Sequence, residues 1–184
     1  MIKEWNRFKG WTVLERFLIF PDNRIHINKL AKELSIGMYT AHRFCTMYCK
    51  DGLLLKEEIG NVHQYRLNKD DARVRALLHF IGPYLVSDFI PVFLENNAGV
   101  LSISIYGSFA SGEHGDGSDL DILIIKGDEA KTDSSSMGQI SMKLGRDANV
   151  TSISLARWRS MERRNDAFFL SVKKNHVIIW GNPL

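Results

Sequence analysis

The segment that most constrains this chain is Gly107-Ser108-Phe109-Ala110-Ser111-Gly112-Glu113-His114-Gly115-Asp116-Gly117-Ser118-Asp119-Leu120-Asp121, set between two apolar runs. Val100 to Tyr106 before it alternates as a strand, and Leu120 to Ile125 reads as a second strand. Gly107-Ser108 ends the first strand and opens a short helix. A glycine there lets a ligand approach the backbone closely. A helix N-terminus presents N–H groups to an anion such as phosphate, and the Ser108 hydroxyl adds a donor. Asp119 and Asp121 are two apart on a strand, so both side chains share one face. Two ionised carboxylates on one face repel each other. A bound divalent cation removes that repulsion, and all-oxygen ligands select Mg²⁺ or Mn²⁺. A phosphate cradle facing such a pair is equipment for phosphoryl or nucleotidyl transfer.

The rest of that half alternates helices and strands. Helical patterns over 70–80 and 83–96 are separated at Gly82-Pro83. A helix is expected over 129–144, a strand over Val150–Ser154, helices over Ala156–Met161 and Asp166–Val172, and a closing strand over Val177–Trp180. Alternation of this kind predicts an α/β (α+β) fold with a mixed sheet flanked by helices.

The first third has a different pattern. Trp5, Phe8, Trp11, Leu14, Phe17 and Leu18 recur at helical spacing, and Pro21 stops that helix. Ile25-His26-Ile27 is a short extended piece. Asn28 is placed to cap a second helix, Lys29–Leu34. After the turn Ser35-Ile36-Gly37, a third helix runs from Met38 to Asp51 and ends at Gly52. Strands Leu53–Glu57 and Val62–Leu67 then form a hairpin whose tip contains Gly60.

Charge divides the chain in the same way. Residues 1–68 carry 11 Lys+Arg against 7 Asp+Glu, whereas 69–184 carry 13 against 14. A basic first third and a near-neutral remainder suggest two modules with different partners. The expected division is 1–68, connecting helices 69–98, and 99–184. No apolar run approaches a membrane span, and no secretory signal is evident at Met1–Arg7. The two cysteines, Cys45 and Cys49, cannot support a disulfide scaffold, so a cytoplasmic setting is expected. Cys45 falls on the apolar face of its helix, which argues against a zinc site built from His42, Cys45 and Cys49.

Helix, helix, turn, helix and hairpin resemble the winged helix-turn-helix family, with Ser35 to Leu53 carrying the resemblance. Ala41, Cys45 and Tyr48 would face the core. Tyr39, Thr40, His42, Arg43, Thr46 and Lys50 would face outward as a reader of double-stranded DNA. Lys56, His63 and Arg66 are placed to add contacts from the wing.

The Gly107-to-Asp121 segment resembles the signature of the nucleotidyltransferase superfamily that includes DNA polymerase β. Gly-Ser, ten residues, then Asp-x-Asp matches at Gly107, Ser108, Asp119 and Asp121, and Ser118 and Gly112 also match. The resemblance spans roughly 85–184 and is similar in size to the minimal nucleotidyltransferases. It implies that Asp119 and Asp121 are catalytic and hold Mg²⁺ (or Mn²⁺). It also implies that Gly107, Ser108 and Ser118 bind an NTP, with ATP the expected nucleotide. Attack at the α-phosphate would transfer a nucleoside monophosphate to an acceptor and release pyrophosphate. The acceptor classes it allows are a small molecule, a nucleic acid end and a protein hydroxyl. It permits a helical partner protein, as in toxin–antitoxin systems, and the winged helix permits a homodimer.

One departure stands out. The family supplies a third carboxylate from the next strand, and the aligned position here is Asn149 or Thr151. Asp147 sits at or before the start of that strand. A neutral ligand gives weaker metal binding and a poorer general base. The alternative reading is therefore a winged-helix regulator with a degenerate, nucleotide-sensing or dimerising transferase-like domain. Arg157, Arg159, Arg163 and Arg164 read as a solvated basic helix face.

Overall fold

The apolar spacing near the start of the chain produces α1, Lys9–Ile19, which buries Trp11, Val13, Leu14, Phe17, Leu18 and Ile19. The structure, a computed structural model, describes residues 7–59, 62–133 and 135–184. Trp5, the Gly60-Asn61 hairpin tip and Ser134 lie outside the described residues. The chain divides into two units, Met1–Leu78 and His79–Leu184.

In the first unit, β1 (Ile25–His26) leads directly into α2 (Ile27–Glu33). The sequence placed the cap at Asn28, but the N-cap is His26 and Asn28 lies inside the helix. Strand pairing sets this boundary: Ile25 and His26 pair with Tyr65 and Gln64, and the extended His26 backbone is the last before the helix turns. Helix α3, Met38–Lys50, buries Ala41, Phe44, Cys45 and Tyr48. It ends at Asp51, and Gly52 takes the left-handed φ of 77° that glycine tolerates at a helix stop. Strands β2 (Leu54–Ile59) and β3 (Val62–Leu67) complete an antiparallel sheet of order β1-β3-β2. Ile25, Leu54, Tyr65 and Leu67 are buried in this unit's core.

The second unit is built on a four-stranded sheet. Its strands are β4 (Val100–Tyr106), β5 (Leu120–Lys126), β6 (Ala148–Ser154) and β7 (His176–Gly181), in the order β6-β5-β4-β7. Strand β4 is antiparallel to both neighbours, and β5 is parallel to β6. A mixed sheet flanked by helices is the architecture the alternation required. The parallel β5–β6 pair needs a crossover, which contains α7 (Ser135–Leu144). That helix begins later than the predicted residue 129. Buried Asn97 explains the delay: its Oδ1 accepts from Asp133 N and its Nδ2 donates to Asp133 O, holding the preceding segment out of helix.

Gly82-Pro83 does not break the chain as the sequence suggested. Both lie inside α4, Ala72–Ser87, and α5 follows as Ile90–Glu95. An internal proline costs about 3 kcal/mol, and burial of Ile81, Tyr84, Leu85 and Val86 on the same helix opposes that cost. The glycine serves packing, since a Cβ at Gly82 would lie 2.6 Å from Ile105 Cδ1. Helix α4 thereby covers the sheet face that buries Ile103, Ile105, Ile122 and Ile124.

On the other face, α8 (Leu155–Arg163) and α9 (Ala167–Lys174) pack Trp158, Met161, Phe169 and Val172 against Leu123, Ile125 and Ile153. Each helix is capped at its start. Ser154 Oγ accepts from Arg157 N, and Asp166 Oδ1 accepts from Phe168 N. No helix among the described residues is long and apolar enough to cross a membrane.

Candidate nucleotide and metal site

Sheet register sets the site. Tyr106 on β4 lies opposite Asp121 on one side and His176 on the other, and Asp121 lies opposite Asn149. One row across all four strands therefore reads Asn149, Asp121, Tyr106, His176. Side chains in one row share a sheet face, so these four project from the α8–α9 side, at the end of the sheet where β5 begins.

Gly107 follows Tyr106 directly. Its φ of 70° and ψ of −148° belong to a region open essentially to glycine alone. A Cβ there would stand 2.9 Å from Asp121 Oδ2. Both constraints force glycine, and both follow from bringing the turn against the carboxylate. The chain then enters α6, Ser108–Ser111, a single turn whose Phe109 and Ala110 are buried. Ser108 is half-buried at the start of that turn.

Asp121 is half-buried, whereas Asp119 is exposed. Burial, with Asp119 as a like-charged neighbour, raises the Asp121 pKa; the hydrogen bond from Asn149 opposes the rise. Asn149 Nδ2 donates to Asp119 Oδ2 at 3.1 Å and to Asp121 Oδ1 at 3.4 Å. The amide N–H thus lies between the two carboxylates and partly offsets their repulsion, the service a cation would perform more fully.

Of the two positions the sequence offered for a third acid, Asn149 and Thr151, Asn149 is the one opposite Asp121. Thr151 lies opposite Leu123 and hydrogen-bonds the Tyr106 hydroxyl. Asp147 precedes β6 with an exposed side chain, and its carbonyl accepts from Leu120 N. Glu113 accepts from Ser111 Oγ.

Ser118 closes its own loop: Gly115 N donates to Ser118 Oγ at 2.9 Å. Residues that the sequence did not single out hold this loop in place. Arg146 donates to the carbonyls of Ser118 (2.7 Å), Gly115 (3.2 Å) and Asp116 (3.4 Å). Its guanidinium also sits 5.2 Å from the Phe109 ring centroid. Buried His114 stacks on the other partner of this core, with ring centroids 3.9 Å from Phe109. A lone arginine before a strand carries no spacing signal, which is why sequence reasoning passed over it.

Acceptance of a divalent cation can be judged from these donors. Two neighbouring carboxylates, one of them destabilised by its surroundings, plus an amide able to present oxygen on rotation, form a hard-oxygen set that fits Mg²⁺ or Mn²⁺. The set carries one negative charge fewer than a three-carboxylate site.

On α3, Tyr39, His42, Arg43, Thr46 and Lys50 are exposed and Thr40 is half-exposed. Thr46 also hydrogen-bonds the Tyr65 hydroxyl. The hairpin residues expected to join them are committed elsewhere: Lys56 and His63 face Glu58, and Arg66 pairs with Glu57. Cys45 is buried, and burial pushes its thiol up to about 12. Arg157, Arg159, Arg163 and Arg164 all lie exposed on or just after α8.

The comparisons with known proteins concern the second unit. Residues 90–180 match the family model described as Polymerase beta, Nucleotidyltransferase. The segment is similar to a polymerase β-like nucleotidyltransferase domain, and its mixed α/β architecture fits one. Similar solved structures include a proposed nucleotidyltransferase from Sulfolobus solfataricus. It is 16% identical, and the match covers 59% of this chain and 87% of that one at a TM-score of 0.36. A toxin–antitoxin structure with AMP-PNP is 23% identical over 52% of this chain and 73% of that one, at a TM-score of 0.33. No curated protein gives a significant match.

Proposed function

We propose that the second unit binds a nucleoside triphosphate with a divalent cation and transfers its nucleoside monophosphate to an acceptor. The observation that carries this reading is the contact of Gly107 with Asp121: a turn made for an approaching phosphate sits against a carboxylate whose charge is costly as it stands. Asp119 and Asp121 would hold the cation. When bound, it neutralises phosphate charge and acidifies an attacking hydroxyl. The backbone N–H groups that follow Gly107, whose own N–H donates to Asn175 O, would orient the polyphosphate together with the Ser108 hydroxyl. Ser118 contributes by shaping the loop. Arg146 holds that loop, which brings Asp119 to the start of β5. The acceptor oxygen then bonds to the α-phosphorus as the bond to the bridging oxygen breaks, pyrophosphate leaves, and the acceptor's proton passes to solvent or to a carboxylate.

Asn149 favours a second reading. With no third carboxylate in the row, nucleotide binding without turnover becomes the function, and the unit acts as a sensor. Radiolabelled ATP with Mg²⁺ and candidate acceptors separates the two. Transfer abolished in Asp119→Asn supports the enzyme, and saturable binding with no transfer supports the sensor.

The first unit is proposed as a winged helix that reads double-stranded DNA through the exposed face of α3. Support comes from the element order, the three-stranded sheet and the exposure of Arg43 and Lys50. Because Lys56, His63 and Arg66 on the hairpin face carboxylates, the reading relies on α3. A gel shift across salt concentrations with Arg43→Ala and Lys50→Ala tests it.

A further inference from the structure

Helix α8 and its cap, residues 155–164, carry Arg157, Arg159, Arg163 and Arg164, no lysine and one carboxylate, Glu162. The helix buries Trp158 and Met161 against the sheet, so its opposite side faces solvent, and all four arginines are exposed. Helical spacing sorts them into two rows. Arg159 and Arg163, four apart, form one row, and Arg157 and Arg164, seven apart, form the other. Ala156 and Ser160, with short side chains, lie between the rows and put no bulk there.

Arginines elsewhere in the chain meet carboxylates: Arg16 pairs with Glu33, Arg24 and Arg66 share Glu57, and Arg73 pairs with Asp71. Among the described residues, none of the four on α8 has a carboxylate within ion-pair distance, and Arg164 Nε donates only to Ser160 O at 3.3 Å. The acids close by in the chain are engaged elsewhere or unpaired with them. Asp128 accepts from Ala156 N and Asp166 from Phe168 N, while Glu162 stays exposed. Like charges four apart destabilise a helix, and Arg157 sits in the first turn, at the positive end. Only Arg163 and Arg164, at the negative end, are accounted for by the helix itself.

The chemistry of the face narrows what would offset that charge. Guanidinium groups stay charged at any working pH, and their planar forks match phosphate oxygens. Helix α8 exposes no large apolar side chain, so the face offers neither a plate for unpaired bases nor an anchor in a lipid surface. Two rows of fixed positive charge with small residues between them suit the phosphates of a duplex, contacted through the backbone alone.

We propose that the exposed face of α8 binds duplex nucleic acid through its phosphate backbone, without reading sequence. The surface is separate from the carboxylate pair and from α3, so its failure would leave both earlier readings standing. The test is fluorescence anisotropy of the full chain with duplexes of arbitrary sequence, one DNA and one RNA, in EDTA, over roughly 50–200 mM salt. The quadruple variant Arg157→Gln, Arg159→Gln, Arg163→Gln and Arg164→Gln is made in wild type and in an Arg43→Ala, Lys50→Ala background, and a thermal melt confirms that each protein is folded. Duplex binding is expected to survive the two α3 substitutions. The four glutamines should weaken it about tenfold or more, and should make the slope of log K against log salt shallower by about one per arginine. The duplex bound more tightly, DNA or RNA, names the natural source of the phosphates. The proposal is overturned if wild type binds neither duplex, if the quadruple variant binds both like wild type, or if the α3 substitutions alone abolish binding. It is also overturned if polyglutamate at equal charge displaces the duplex, which would make the face a dock for an acidic protein.

Discussion

The exposed face of α3 and the first residues of β5 are both polar, but they carry opposite costs. Tyr39, His42, Arg43 and Lys50 sit in solvent, where a charged side chain on a helix costs almost nothing. Asp121 sits half-buried beside a second carboxylate, with its pKa raised by that setting. Sequences fill solvated helix faces with such residues whether or not anything binds there. A pair of repelling acids at the rim of an apolar strand persists only where something offsets it. The second arrangement is thus the more informative about ligand binding.

Substitution sharpens that contrast, and the largest effect is expected at the turn. Gly107→Ala places a Cβ 2.9 Å from Asp121 Oδ2 on a backbone that only glycine adopts readily. A stability loss of about 1–3 kcal/mol is expected by urea denaturation, together with loss of nucleotide binding. Arg146→Ala removes donors to three loop carbonyls and should cost about 1–2 kcal/mol in the same assay. Its binding defect should be smaller than that of Gly107→Ala, because the variant loosens the loop without filling the site.

Asn149→Asp would gather three carboxylates in place of two bridged by an amide. Without metal it should lower Tm, and with Mg²⁺ it should show a larger Tm gain than wild type. Equal gains would mean that Asn149 does not occupy the metal position.

Asp121→Asn works in the opposite direction. The folded state raises the Asp121 pKa, so the ionised form destabilises the fold above that pKa. At neutral pH, metal-free, the variant should melt about 1–3 °C higher. That gain should shrink as pH falls and the native aspartate takes up a proton. The smallest effect is expected on α3, where Arg43→Ala and Lys50→Ala should each change stability by less than about 0.5 kcal/mol while weakening any DNA complex. A larger stability change at either position would erase the contrast between the two faces.

What the sequence made legible follows the same divide between local and cross-strand physics. Alternation located β4 at Val100–Tyr106, and the Gly-Ser and Asp-x-Asp spacing located the turn and the acids, because both are encoded by neighbours in the chain. Gly82-Pro83 misled for the converse reason: the packing that keeps α4 continuous comes from Ile105 and Phe109, more than twenty residues away. Register was equally hidden. Only the pairing of β5 with β6 puts Asn149 rather than Thr151 opposite Asp121, and only the pairing of β4 with β7 brings His176 into the same row. Arg146 was invisible because its partners are backbone carbonyls, which leave no pattern in side-chain identity.

The central claim is that the Gly107 turn and the two acids together take a cation-bearing nucleotide. Calorimetric titration of ATP, with and without Mg²⁺, into wild type and Asp121→Asn tests it most directly. Binding that requires Mg²⁺ and is lost in the variant is the expected result. Affinity that is the same without the metal, or unchanged in Asp121→Asn, would contradict the account.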